Sequence, residues 1–407
     1  MMLIILIDYQ LEKIVNSKTN KIERYFMERN GNKVSIKRVI IMGGAFIGLL
    51  IGSGFTTGQE IMQYFVSFGV GGYAAIVMMF VLFCYVGISF VVVGNEQQFE
   101  EPKNIYQYYC GKYIGTFFDW FSVVFLFMSF WVMVAGAGAA FNQSFGIPNW
   151  VGGTLMGIIT LITLFFGFNK LVDIVGSIGP VVSVLAILLG FAGIMMNPGG
   201  LSSFAEEVPA LVEKGTVLQA GNNWFMACAS YVGFCMMWLA VFMTNMGATA
   251  NSKREGIYGT IFGASLYSLA VLLLMFGLSA NLLDVAGAQI PTLILAKKIT
   301  PALAVFYTII VFTEIYTTAG PLLWTPVKRI APDEKSNRYR MTLMILGAIG
   351  IFVGLKVPFD KLINVVYVVN GYVGFMLLFL MIITDVRVRI LKNYTPKIVN
   401  ELKCKAK

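Results

Sequence analysis

The chain has 407 residues, of which 57% are hydrophobic and only 13% charged, and its mean hydropathy is +0.77. A soluble domain of this size needs more polar surface, so the composition excludes one. The net charge of +9 would suit nucleic acid in a soluble chain. Here the charges lie between long apolar runs, so the basic segments read as orienting the chain and attracting anionic membrane lipid, with no nucleic-acid partner.

Apolar runs of about 20 residues match the hydrocarbon core as helices. Backbone groups in lipid must be satisfied internally, which leaves helices or closed barrels, and these runs are too long and too uniformly apolar for barrel strands. We therefore expect an all-α integral membrane protein of ten transmembrane helices, near residues 39–66, 70–93, 116–141, 150–168, 172–196, 222–246, 257–279, 301–325, 341–356 and 359–384. Residues 1–38 read as an N-terminal arm, 39–384 as one membrane domain and 385–407 as a basic tail. With this layout the Lys and Arg residues divide 25 to five between the two sides, which puts both termini in the cytoplasm of a plasma-membrane protein.

The opening MMLIILIDYQ is apolar for only seven positions and has neither a basic start nor a small-residue cleavage site, so it is not expected to act as a signal peptide. Met27 opens MERNGNK just before the first span, and residues 1–26 are expected to be dispensable for insertion. There is no histidine, and the five cysteines form no CxxC pair, which argues against a zinc-dependent or His-based membrane enzyme and against a disulfide framework.

The first span contains GGAFIGLLIGSGFTTGQE, residues 43–60, with six glycines. Glycine is about 1 kcal/mol worse than alanine in a helix, so the cluster has a purpose. Gly44, Gly48 and Gly52 are spaced by four, which suits a close helix–helix contact. From Gly54 to Glu60 six of seven positions are glycine or polar, which suits an unwound segment lining a wet cavity. A helix that resumes after Gly52, Ser53 and Gly54 would turn free N–H groups toward an anionic ligand group. Packing and binding both remain readings of this run, with binding placed from Gly52 onward.

Between spans two and three, residues 94–115 read as a short polar helix. The external segments 197–221 and 280–300 are partly amphipathic and are expected to lie at the surface or cap a vestibule. The sixth span carries Ser230, Tyr231, Gly233 and Phe234, read as a weaker break with an aromatic pocket wall or, alternatively, as ordinary packing. In the eighth span Glu314, Thr317 and Thr318 share one helix face. Their oxygens suit a hard cation such as Na⁺, unless the threonines bond their own helix carbonyls. Glu60 and Glu314 are the deepest carboxylates and are candidate proton sites, with a second reading for Glu60 as an acceptor for N–H groups freed at the break. Asp119, Asp173 and Asp385 lie near span ends and are expected to be solvated. The breaks near residues 53 and 233 fall in corresponding places of two halves, which points to a 5+5 inverted repeat with broken helices 1 and 6.

IGSGFTTGQE, together with TTAG in the eighth span, resembles the YkvI-like membrane proteins, a branch of the amino acid–polyamine–organocation (APC) transporter superfamily. The resemblance spans about residues 38–390. It implies the leucine-transporter-like fold, with helices one, three, six and eight around the substrate. It further implies main-chain contacts from Gly52, Ser53 and Gly54 to an amino-acid substrate, and a sodium site of Gly48 and Ile51 with the Glu314 carbonyl, Thr317 and Thr318. The function expected is secondary active transport of a small solute, an amino acid or related compound, by Na⁺ symport and alternating access. Proton coupling through Glu60 or Glu314, and a non-transporting solute sensor, are the alternatives. No cofactor is expected beyond Na⁺ as coupling ion, and no enzymatic activity, because no nucleophile–base pair or metal cluster is visible.

Overall fold

The computed structural model describes residues 34–166 and 184–390. The expectations for the first part of the arm, for the start of the fifth span with Asp173, and for most of the basic tail lie outside the described residues. All regular elements among the described residues are helical.

The first apolar stretch forms α1 (Ile36–Leu50), which ends where Ile51 and Gly52 take extended backbone angles. Two short pieces follow, α2 (Ser53–Thr57) and α3 (Gln59–Tyr64), joined at Gly58 with φ +80°, a left-handed conformation that glycine adopts without strain. The expected break in the first span is therefore present, but it lies at Ile51 and Gly52 with a second turn at Gly58. Ser53 and Gly54 already belong to α2, and residues 54–60, expected to be unwound and to line a cavity, are two short helices of which Gly54 and Glu60 alone line the main cavity. Long helices then alternate with short connections: α4 (Gly71–Gln97), α5 (Asn104–Phe145), α6 (Asn149–Phe166), α7 (Val184–Met196) and α8 (Gly200–Glu213). They continue as α9 (Trp224–Thr249), α10 (Lys253–Ala280), α11 (Leu282–Val285), α12 (Pro291–Ile299), α13 (Pro301–Ile330), α14 (Asn337–Lys356) and α15 (Phe359–Asp385).

Eight of these helices are individually long and apolar enough to cross a membrane, and α7 with α8, bent by 100°, raises the number to nine at most. The ten-span expectation exceeds this count for two reasons. The first span is cut into pieces too short to pass alone, and part of the fifth lies outside the described residues. The polar helix expected before span three is present as the first turns of α5, set off by Gly111 at φ +74°. The amphipathic segments 197–221 and 280–300 form α8, α11 and α12, and α8 turns Phe204 and Val208 into the protein.

Two groups of helices pack side by side. Helices α1, α4, α9 and α10 form one, and α5, α6, α13 and α14 form the other, with α15 bridging α9 and α5. Ser252 and Glu255 form a cap that ties the first group together. The Ser252 hydroxyl accepts from the Glu255 N–H (3.3 Å), while the buried Glu255 carboxylate accepts from the Ser35 N–H at the start of α1 (3.0 Å).

The structure corrects the expectation of a broken sixth span. Helix α9 runs without interruption through Ser230, Tyr231, Gly233 and Phe234. Gly233 is there for close approach to α15, since a methyl group on it would overlap the Gly371 carbonyl, and one on Gly374 would overlap the Gly233 carbonyl. The glycines of the first span are corrected too. Gly44, Gly48 and Gly52 have open space where a side chain would be, and the packing glycine is Gly43, seated against Gly259, Phe262 and Gly263 of α10.

Candidate functional site

Between the two helix groups lies a cavity of about 870 Å³. It starts at the break, where Gly48, Ile51, Gly52 and Gly54 form its wall, and reaches exposed Asn245 and Pro332 at one end of the bundle. This is the end that carries the α4–α5, α9–α10 and α13–α14 connections. The volume falls in the range of small-molecule sites.

The chain termination at α1 explains the polar face. The last carbonyls of a helix lack intrahelical donors. Here the Ile51 N–H still reaches Ile47 O (2.8 Å), but the Gly52 N–H turns to Leu50 O (3.1 Å), so Gly48 O loses its usual i+4 donor beside the cavity. Opposite stands α13, which contributes Glu314, Thr317 and Thr318. The Thr317 hydroxyl donates to the Glu314 carbonyl (2.9 Å), one turn back, so the self-bonding alternative holds for Thr317. Its oxygen lone pairs stay available. The Glu314 carboxyl is 4% exposed, and its Oε2 has no partner among the described residues.

Glu60 enters from the other side of the break. Its carboxylate folds back over Gly54, where a methyl group would overlap it. It accepts a hydrogen bond from the Tyr231 hydroxyl (3.2 Å), which shares a short 2.5 Å contact with Tyr267. Among the described residues the donor to Glu60 is thus a phenol from α9, in place of the freed N–H groups expected from the sequence.

Of the sequence-predicted residues, Gly48, Ile51, Gly52, Gly54, Glu60, Glu314, Thr317 and Thr318 line this one cavity. Ser230, Tyr231, Gly233 and Phe234 do not line it. The Ser230 hydroxyl donates to Val368 O (3.1 Å), Tyr231 backs Glu60, and Phe234 stacks behind Tyr367, with ring centroids 4.8 Å apart. Ser53 lies on the backbone of the break at the start of α2.

The apolar wall is what the sequence reading missed. Trp238, Tyr367, Met133, Met237 and Leu126 face the cavity. Trp238 stacks on Phe125 at 5.6 Å and 8° and meets Tyr367 edge-on at 5.7 Å. Trp238 stands one helical turn after Phe234, and that i, i+4 aromatic pair was the available signal.

The other end of the bundle is closed. Gln59 Nε2 donates to Ala288 O (2.8 Å), and Gln63 Nε2 donates to Asp360 O (2.8 Å) and Gln59 Oε1 (3.2 Å). Asn364 Nδ2 donates to Gln63 Oε1 (3.0 Å), while Thr292 and Tyr307 donate to the Thr56 carbonyl (2.8 and 2.7 Å). Only about 20 Å³ of free space remains among Gln59, Gln63 and Asp360. At the open end Arg329 pairs with Asp119 and lies over the Trp120 ring (4.7 Å), so Asp119 is bonded rather than freely solvated. Asp385 is likewise buried, accepting from Tyr85 (2.9 Å) and Ser89 (3.0 Å).

No family model matches the sequence. The chain is 22% identical over 334 residues to the uncharacterized membrane protein YkvI of Bacillus subtilis (strain 168), covering 81% of this chain and 91% of YkvI. It is 21% identical over 338 residues to the uncharacterized protein YyaD of the same organism, covering 82% and 92%. Among solved structures it is similar to MhsT in complex with L-phenylalanine, with a TM-score of 0.55, 15% identity, and 84% of this chain and 88% of MhsT covered. It is also similar to a variant of the Eremococcus coleocola manganese transporter, with a TM-score of 0.51, 12% identity, and 88% and 87% covered. These likenesses each cover 81–88% of this chain. The chain is a multi-pass helical membrane protein that shares the fold of these structures.

Proposed function

We propose that this chain is a secondary active transporter of a small organic solute of amino-acid size, working by alternating access. The observation that carries the reading is the cavity at the broken first helix, open toward one end of the bundle and sealed at the other by a hydrogen-bonded layer. A site that is accessible from one side only, between two packed helix groups, is what rocking of one group against the other requires. On this reading the ten-span, 5+5 layout holds in function, with α9 unbroken. The charge bias puts the open end in the cytoplasm of the plasma membrane, so the cavity is in its inward-open state.

Na⁺ is the proposed coupling ion. Gly48 and Ile51 at the end of α1, with the Glu314 carbonyl, Thr317 and Thr318 across the cavity, supply hard oxygen ligands of the kind such an ion prefers. Proton coupling is the second reading, favoured by the buried Glu314 Oε2 that has no partner among the described residues. Proteoliposomes holding the purified chain decide between them. Solute uptake driven by a sodium gradient, lost in Thr317→Ala plus Thr318→Ala, supports the first. Uptake that follows a pH gradient and ignores Na⁺ replaces it with the second. Saturable binding without any flux would make the chain a solute sensor.

A further inference from the structure

The charges around the cavity also determine what kind of solute fits it, given the reading of the cavity as the solute site. Three basic residues are among the described residues that line it: Lys103, Lys328 and Arg329. All three lie near the open end, and each is already in an ion pair. Lys103 pairs with Glu101 (3.1 Å), Lys328 with Glu334 (3.0 Å) and Arg329 with Asp119. Deep in the cavity stand two carboxyl groups, Glu60 and Glu314, 2% and 4% exposed, with no cation beside either among the described residues. Intramembrane carboxylates of this kind are costly unless something compensates them.

Glu60 has a second consequence. Its carboxylate rests on Gly54, at the break itself. The place where freed backbone donors would meet a ligand's carboxylate is therefore next to a carboxylate of the chain's own. Once Glu60 is ionised against a ligand's ammonium group, a second carboxylate there would be repelled in a setting that screens charge poorly. The facing wall is apolar, polarizable and aromatic, made by Trp238, Tyr367, Met133 and Met237. Aromatic faces hold an ammonium group well, and they equally hold an apolar body.

We propose that the ligand is an amphipathic organic cation: an ammonium group directed at Glu60 and Glu314, on an aromatic-sized apolar body, with no carboxylate. An α-amino acid of the same body is the disfavoured competitor.

Three probes share one body and differ only in charge: phenethylamine, L-phenylalanine and 3-phenylpropionate. Binding of each to the purified full-length chain in detergent is measured by calorimetry and by competition against radiolabelled phenethylamine. The expected result is saturable phenethylamine binding at least about tenfold tighter than that of L-phenylalanine, no competition by 3-phenylpropionate, and a loss of about tenfold or more in Glu60→Gln. Should Glu60→Gln elute as aggregate, Glu314→Gln takes its place, and the three-probe ranking on the unaltered chain needs no variant. Absence of phenethylamine binding, tighter binding of L-phenylalanine, or competition by 3-phenylpropionate overturns the proposal. Amine binding without flux in proteoliposomes removes the transport reading and leaves the ligand class standing. Flux of L-phenylalanine with no amine binding does the reverse.

Discussion

Gly54→Ala tests the geometry of the break most directly. A methyl group at this position overlaps the Glu60 carboxyl group and its Cγ. Glu60 is 2% exposed and sits on the next helical piece, so its side chain cannot yield without giving up the bond from Tyr231. Overpacking a tight site costs about 1–3 kcal/mol. Loosening the Tyr231 bond adds about 1 kcal/mol, the low end for a buried group, because the phenol keeps its contact with Tyr267. The total is about 2–4 kcal/mol. Gly52→Ala, two residues away, meets nothing within 4 Å and has φ −117°, so it should cost no more than about 0.5 kcal/mol. In Gly54→Ala plus Glu60→Ala the overlap is gone, so the double variant should match Glu60→Ala alone and not the sum, a coupling equal to the whole Gly54→Ala cost of about 2–4 kcal/mol. The assay is thermal denaturation in detergent, followed by the monodisperse fraction that survives heating. Additive losses in the double variant, or equal damage from Gly52→Ala and Gly54→Ala, would refute the placement of Glu60 on the break.

Gly233→Ala should destabilise the chain by about 1–3 kcal/mol in the same assay, because its methyl meets the Gly371 carbonyl; no loss would restore a break or loose contact at that point. Gln63→Leu removes the donor to Asp360 O and the acceptor for Asn364, so the sealed end should open more often. A cysteine introduced at Met62, in a chain otherwise free of cysteine, should then react faster with a polar maleimide added on the side of Asp360, and an unchanged rate would show that Gln63 does not hold that end shut. Arg329→Ala leaves Asp119, with 13% side-chain exposure, without its cation and should cost about 1–3 kcal/mol, discounted from a fully buried pair. Adding Asp119→Asn should recover most of that loss, and failure to recover would mean that the Trp120 contact of Arg329 matters more than its charge.

The helical membrane architecture and the broken first helix were legible because they depend on local properties. Run length sets a span. A run of glycine and polar residues inside one marks a break. The facing of Glu314, Thr317 and Thr318 followed from helical period alone, and these residues do share the cavity with the break. What was not legible depends on which neighbour a helix face meets. Gly44 and Gly48 have the spacing of a packing face, yet both look onto open space, while Gly43, one residue off that stripe, packs against α10. A missing side chain serves a cavity wall and a tight contact equally well, so spacing cannot separate them. For the same reason Gly233 reads in the sequence as either a break or ordinary packing, and the packing reading holds: it is a contact glycine in an unbroken helix. Phe234 reads there as pocket wall or as ordinary packing, and packing is what it does: the wall is Trp238 and Tyr367, and Phe234 supports them from behind.

The pairing of Glu60 with Gly54 shows where local reading stops. Six residues apart is no neighbour distance on a continuous α-helix, where contacts fall at three and four. The two meet because the chain between them is two short pieces joined at Gly58, whose φ of +80° redirects the second piece. Gly58 is held in turn by Thr292 and Pro291 of α12, the helix that helps close the far end. Thus the Glu60 carboxyl group at the break is positioned by the same turn that packs against the seal. A motion that releases α12 from Gly58 would also shift Glu60 relative to Gly54. If Glu60 takes the ligand's charge as proposed, Gly58→Ala should weaken phenethylamine binding and speed maleimide labelling at position 62 together, and a change in one without the other would refute the link.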